Sequence, residues 1–339
     1  MNFLRFFLFS LTFLVNQVYG QKPEFTILFY NTENFFDCEN DTTTSDEEYL
    51  ANADRNWTPQ RFHLKAERLA KVIVAAGKWN APLLVGLCEI ENRDVLETLV
   101  KTDPLTKIHY KIIQKDSPDP RGIEVALLYR SDLFHPLDYN IIPVNDTQNP
   151  KFRTRDILKV VGTIGNKDTL IVYVNHWPSR YGGIMETQRY RAIAARKLKA
   201  AVNEDLSKNP NQKIVCMGDF NDTPADQSIA SQLGAKPLQA AKNNDLINLS
   251  DSWLTNEILT IKSKYRWEVF DQFIVSSGFM NSKSGILYVN AEIFKESFLL
   301  EKDITYGGVK PKRTYLGFKY HNGFSDHLPI ILHFQLTDY

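Results

Sequence analysis

Apolar residues along this chain fall in short blocks bounded by turn-forming residues. "FTILFYN" (25–31), "PLLVGLCEI" (82–90), "YKIIQ" (110–114) and "VALLYR" (125–130) have strand length and composition. So do "LKVVGTI" (158–164), "TLIVYVNHW" (169–177), "KIVCMGDF" (213–220), "VFDQFIVS" (269–276) and "LPIILHFQL" (328–336). Several are apolar throughout, which predicts strands covered on both faces. Helical patterns interleave with them. Thr58-Pro59 reads as an N-cap followed by proline at the first helical position, and Phe62, Leu69, Val72, Ile73 and Ala76 then recur at helical spacing. Glu186 to Val202 reads as a second amphipathic helix and Asn92 to Val100 as a shorter one. Because βα units alternate with runs of consecutive strands, the pattern predicts an α/β fold. It has two sheets packed face to face with helices outside, rather than one parallel sheet. The acidic stretch from Glu39 to Asn56 reads as a surface loop, and no linker divides the chain.

The N-terminus changes the picture of where the chain works. "MNFLRFFLFSLTFLVNQVYGQ" has a basic n-region at Arg5, an apolar stretch from Phe6 to Val15 and a small-residue exit at Gly20. It reads as a signal peptide over 1–20, followed by one domain over 21–339 and a secreted or periplasmic, bacterial-type destination. Lysine plus arginine balance aspartate plus glutamate at 40 each, so any basic surface must be local. The three cysteines, Cys38, Cys88 and Cys216, are neither metal-spaced nor an even disulfide set. Cys88 and Cys216 read as buried small hydrophobes, and a bridge between them would require neighbouring strands. No feature implies a stable protein partner, and a monomer is expected.

The chemistry collects at strand ends. Asn31 closes the first strand and Glu89 the second, "LIVYVNHWPSR" ends in Asn175-His176, and "CMGDFND" ends in Asp219 and Asn221. Asp271 lies within "VFDQFIV", and Asp326-His327 opens the last strand. An acid at the tip of a buried strand has lost solvent, and two oxygen-bearing side chains two residues apart share a face. Hard oxygen donors without a thiolate suit Mg²⁺ or Mn²⁺, with Ca²⁺ also admissible. Histidines and spare acids beside such an ion are parts for phosphoester hydrolysis. Singly, each has an ordinary reading as a turn residue, a solvated terminus or a structural histidine. Their joint occurrence in this order is the signal.

That set resembles the endonuclease/exonuclease/phosphatase family, which includes pancreatic-type deoxyribonucleases, abasic-site endonucleases, neutral sphingomyelinases and inositol-polyphosphate phosphatases. The match runs from "YNTENFFD" to "SDHLPI", with "GDFN" and "SDH" its most specific motifs and "NHW" shared by many members. The resemblance implies a four-layer α/β sandwich with the site at one end of the paired sheets. It implies metal ligation by Glu89 with Asn31 and Asp326, Asp219 and Asn221 around the attacked phosphate, and His176 and His327 on its oxygens. Asp271 would orient His327. Either Asp219 or His327 would take the proton from water, Asp219 being the favoured water-positioner. Members that use the first histidine give it an acidic partner, for which Asp116 in "IIQKDSPDPRG" is the candidate. Arg121 and Arg155, just before strands, and Arg180 on a glycine-rich loop are candidate phosphate contacts.

Substrate must be read from loops. In "KDITYGGVKPKRTYLGFKYHNGF", Lys310, Lys312, Arg313 and Lys319 alternate with Tyr306, Tyr315, Phe318 and Tyr320. Cations for phosphates and aromatic faces for bases suit DNA or RNA. An exposed basic hairpin packing its aromatics on the body is the ordinary alternative. No hydrophobic hairpin built to enter a membrane is evident. The expected function is a divalent-metal phosphodiesterase acting on nucleic acid. The alternatives are the same chemistry on an inositol phosphate, sphingomyelin or nucleotide, and a non-enzymatic binding module.

Overall fold

The computed structural model describes residues 24–337, apart from 79, 166–167 and 282–284. The signal segment expected over 1–20 lies outside the described residues. Apolar blocks become strands of two mixed sheets. The six-stranded sheet runs, edge to edge, Gly285–Ile293, Ile330–Thr337, Glu24–Phe35, Leu84–Ile90, Glu124–Arg130 and Tyr110–Gln114. The seven-stranded sheet runs Phe134–Ile142, Ile157–Ile164, Asp168–His176, Lys213–Asp219, Asp271–Ser276, Leu246–Asn248 and Ala235–Pro237. Its central strands, ending in His176 and Asp219, are parallel, and so are the strands carrying Asn31 and Glu89 in the first sheet.

Alternation along single strands builds the layers. Val172, Val174, Val215 and Met217 join Phe29, Val85 and Leu87 in one buried cluster between the sheets. Their neighbours Ile171, Tyr173, Ile214 and Cys216 face the other way, against Ile193, Ala194, Leu198 and Val202 of the helix Ile184–Lys208. The opposite outer layer is the helix Pro59–Ala76, where Thr58 Oγ1 accepts from Arg61 N at 3.4 Å as the expected cap. Cys88 and Cys216 are free thiols in different sheets and different clusters, so the bridge between them is not formed.

Four strands of the two large sheets escaped the sequence pattern: Phe134–Ile142, Gly285–Ile293, Leu246–Asn248 and Ala235–Pro237. The last two are only three residues each, and the first two are sheet edges. An edge strand has one covered face at most, so its apolar run is broken, and Phe134–Ile142 also carries Pro136. Gly218 leaves no room for a side chain where its strand pairs with Asn175 beneath the site. A Cβ there would lie 2.4 Å from the Asn175 carbonyl oxygen, which backbone cannot yield cheaply. Gly218→Ala is therefore expected to cost about 2–3 kcal/mol, read as a lowered midpoint in urea unfolding with an unchanged slope.

Candidate active site

Strand register brings the expected residues together. Asp219 is the pairing partner of His176 on its parallel side and of Asp271 on its antiparallel side. Directly paired residues project on one face, so three neighbouring strands present His176, Asp219 and Asp271 in a row. The other sheet presents Asn31 and Glu89 opposite them. Its strands break register just there, and Glu89, Glu33 and Asn34 have φ of 58°, 54° and 56°. Asn221 likewise has φ of 51°. Left-handed backbone is rare for such residues and clusters where tertiary structure imposes a geometry.

The contacts are short. Asn31 Nδ2 donates to Glu89 Oε1 at 3.2 Å and to Asp219 Oδ2 at 3.1 Å. His176 Nε2 lies 3.8 Å from each of those oxygens, and His327 Nε2 lies 3.8 Å from Asp219 Oδ2. His327 Nδ1 bonds Asp271 Oδ2 at 2.7 Å. Thr260 Oγ1 receives the Asp271 backbone N–H at 3.2 Å and the Phe270 N–H at 3.0 Å, fixing the acid behind the ring. Asn221 Nδ2 donates to the Trp177 carbonyl at 3.0 Å, and the Asn221 N–H donates to Asp219 Oδ1 at 2.9 Å.

The two histidines have opposite electrostatics. Burial alone would neutralise His327, but Asp271 and Asp219 together outweigh it and hold its pKa well above the ordinary imidazole value. His176 is pushed well below that value by burial, and Arg155, Arg121 and His327 add to the effect. Burial raises the Asp219 carboxyl to about 7, Asp271 and Glu89 reinforcing the rise and His327 opposing it. The site thus pairs an imidazolium with a neutral imidazole across one reluctant carboxylate.

Not every expected residue takes its expected place. Asp116 is exposed and accepts from Gln114 Nε2 at 2.7 Å, while His176 Nδ1 is buried without a hydrogen-bond partner. Asp116 is therefore not the partner of His176. The buried acid of that loop is Asp119, three residues on, and it is committed to Arg155 Nη1 at 2.9 Å. Arg155 also donates to the Trp177 carbonyl at 2.6 Å, so it braces the strand end instead of facing a phosphate. Arg180 is a clamp too: it reaches the Asn221 carbonyl at 2.8 Å, Asp222 at 3.0 Å and Asp226 at 2.7 Å, over the Phe270 ring. Arg121 is the freer arginine, half-exposed and 3.7 Å from Asp119.

Asp326 is held by Arg313 Nη2 at 2.9 Å. Burial opposes its charge, but Arg313 and His327 more than offset this and keep its pKa below the usual value. Arg313 Nε also binds Glu33 at 3.0 Å, a buried acid that the sequence reading passed over. Strand alternation could not have found it, because the strand breaks register between Asn31 and Phe35 and Glu33 has φ of 54°. Lys65 was not legible. It sits on the apolar face of its helix, donates to Thr314 Oγ1 at 2.6 Å and to the Phe324 carbonyl, and burial pushes its pKa down to about 8. Of the basic loop's five aromatics, Tyr315 and Phe324 are core and Tyr320 is partly buried, Tyr315 and Tyr320 packing on Trp57 at 6.0 and 6.5 Å, while Tyr306 and Phe318 remain exposed.

A sequence model of the Endonuclease/Exonuclease/phosphatase family matches residues 26–336. The chain belongs to the endonuclease/exonuclease/phosphatase family. The activity that membership carries is phosphoester hydrolysis. A search of curated protein sequences finds no match. Solved structures of similar fold include D. rerio TDP2 complexed with single strand DNA product, at 15% identity and TM-score 0.56, covering 92% of this chain and 99% of that one. Truncated Caenorhabditis elegans TDP2 has 15% identity and TM-score 0.56, covering 92% and 97%. A family protein from Bacteroides thetaiotaomicron has 13% identity and TM-score 0.55, covering 93% and 98%. At such identities the likeness carries the fold, and the family's substrate range leaves this chain's substrate open.

Proposed function

We propose that this family member is a secreted, divalent-metal-dependent phosphodiesterase that hydrolyses DNA or RNA. The observation that carries it is the register of His176, Asp219 and Asp271 against Asn31 and Glu89 at one end of the paired sheets. The donor set fits a hard cation. Glu89 Oε1 and Asp219 Oδ2 face one Asn31 amide and His176, with no Lys or Arg in ion-pair contact among the described residues. Asn31 and Glu89 would hold Mg²⁺ or Mn²⁺, with Asp326, here paired to Arg313 at 2.9 Å, as the third donor. When bound, the ion supplies positive charge against the growing charge on the phosphate oxygens.

The protein's own groups do the rest. Asp219, Asp271 and His327 place ligand atoms within 4.8 Å of one another, but His327 Nδ1 is already committed to Asp271, so this trio handles protons. His327 presents a charged N–H to the phosphate, with Asp271 fixing its tautomer. Asp219 orients the attacking water and takes its proton, helped by a carboxyl poised near neutrality. His176 offers a neutral ring to the phosphate oxygens, and Asn221 is braced beside it through the Trp177 carbonyl.

The D. rerio TDP2 structure contains a single strand DNA product, which favours a nucleic-acid substrate for the shared fold. A second reading, a lipid phosphoester, is favoured by one feature. Tyr181, Ile184 and Met185 are 92%, 54% and 77% exposed beside Arg180, an apolar stretch where the loop enters the helix Ile184–Lys208 that the sequence reading missed. The test is plasmid relaxation by the chain from Gln21 onward in Mg²⁺, Mn²⁺ or EDTA, beside single-stranded DNA, RNA, and phosphatidylcholine vesicles carrying sphingomyelin or a phosphoinositide. Nicking in Mg²⁺ or Mn²⁺ that EDTA abolishes is expected. Intact nucleic acids together with released phosphocholine or phosphate would replace the first reading by the second.

A further inference from the structure

A cleft of about 170 Å³ opens beside the site, between the hairpin Ile261–Ser263/Arg266–Glu268 and the segment from 303 to 316. Asp326 and Arg313 are part of its lining, so it is continuous with the catalytic end of the sheets.

The walls are fixed to the catalytic groups. Ile261 pairs with His327 in an isolated bridge, and Leu328 N donates to the Thr260 carbonyl at 2.7 Å. The same Thr260 holds the Asp271 backbone through its hydroxyl. Across the cleft, Lys262 Nζ of the hairpin donates to Asp303 Oδ2 at 2.8 Å and to the Gly307 carbonyl at 2.7 Å, both charged side chains being buried. Hairpin, turn and His327 therefore form one unit.

The lining carries four cations, Lys262, Lys264, Lys310 and Arg313, and two carboxylates, Asp303 and Asp326. Lys262 is spent on Asp303 and Arg313 on Asp326 and Glu33. Lys310 keeps a loose 3.5 Å contact with Glu301. Lys264, at the hairpin tip, has no ion pair among the described residues, and Tyr306, half-exposed, lines the same cleft. A spare cation and an aromatic face, held rigidly beside the hydrolytic centre, match a phosphate and its base.

We propose that this cleft seats the nucleotide next to the scissile phosphate, with Lys264 and Lys310 on its flanking phosphate and Tyr306 against its base. The proposal rests on the nucleic-acid reading above. The probe is a set of short oligonucleotides with one cleavable phosphodiester, in which the phosphate on either side is left charged or replaced by a neutral methylphosphonate. For the wild-type chain, neutralising the flanking phosphate on one side is expected to raise KM about tenfold. In Lys264→Ala/Lys310→Ala that ratio collapses to near one, and the slope of log KM against log salt falls by about 0.7 for the one phosphate no longer neutralised. Tyr306→Ala is expected to raise KM about fivefold or more through lost stacking. Lys197→Ala, on the long helix away from the cleft, should keep the wild-type ratio and slope. A wild-type enzyme that cleaves the oligonucleotides with the same KM whichever flank is neutral overturns the subsite and leaves the nuclease reading standing. So does an unchanged ratio in the double variant. A wild-type enzyme that turns over bis(p-nitrophenyl) phosphate but none of the oligonucleotides overturns the nuclease reading, and the subsite with it.

Discussion

Asparagine in place of Asp219 is expected to lower kcat for phosphodiester hydrolysis by about three orders of magnitude and, in EDTA, to raise thermal stability above about pH 7. The side chain is 2% exposed and its Oδ2 sits between Nε2 of both histidines and the Asn31 amide. An asparagine fills the same space but offers one oxygen where the aspartate offers two. Either Asn31 Nδ2 or the Asn221 N–H then meets a donor, and no group remains to accept a proton from water. The stability gain follows from the sign of the shift. Burial raises the Asp219 pKa from 3.8 to about 7, so the folded chain binds this proton more tightly than the unfolded chain. Stability therefore falls as pH rises between those values, and the neutral amide removes that loss. Melting curves in EDTA across that range, beside single-turnover rates, check both halves. A variant with reduced activity and a lower Tm at every pH would mean a structural acid, not a proton-handling one.

Arg155→Ala should act on the fold. Arg155 and Asp119 are 5% and 3% exposed, and the guanidinium spans Asp119 and the Trp177 carbonyl. Removing one partner of a buried pair strands the other, at about 3–5 kcal/mol. In a domain of this size that is a Tm drop on the order of 5–10 °C. Replacing both, Arg155→Met with Asp119→Leu, is expected to recover most of the loss, because an apolar pair needs no compensation. Scanning fluorimetry of the four chains decides it. If Arg155 instead served as the phosphate contact that its position before a strand suggests, the single change would raise KM and leave Tm in place.

These two residues show the boundary of what the chain says of itself. Asp219, Asn221, Asp271 and His327 were legible because each interrupts an apolar strand at its tip, where a charge has no packing role. Glu89 and Asn31 were legible for the same reason. Arg155, Arg180 and Arg313 were legible as cations near the chemistry but not as clamps, because Asp119, Asp222 and Glu33 lie 36, 42 and 280 positions from them, although Asp326 is only 13 from Arg313. The same distance hid Lys65, whose contacts lie 249 and 259 positions on. Asp116 was assigned to His176 because the exposure of a loop acid is set by packing its own segment does not carry; it lies at the surface, bonded to Gln114.

The sequence by itself determined the layers and the residues at their ends. Strand alternation fixes which side chains face the opposing sheet and which face a helix, and apolar burial is a property that each segment carries alone. Tertiary structure alone decided the registers that set His176, Asp219 and Asp271 abreast, the left-handed turns that aim Glu89 and Asn221, and the pairing of each buried charge. Those depend on what a distant segment brings within a few ångströms, and desolvated charges are governed by that neighbour rather than by their own position in the chain.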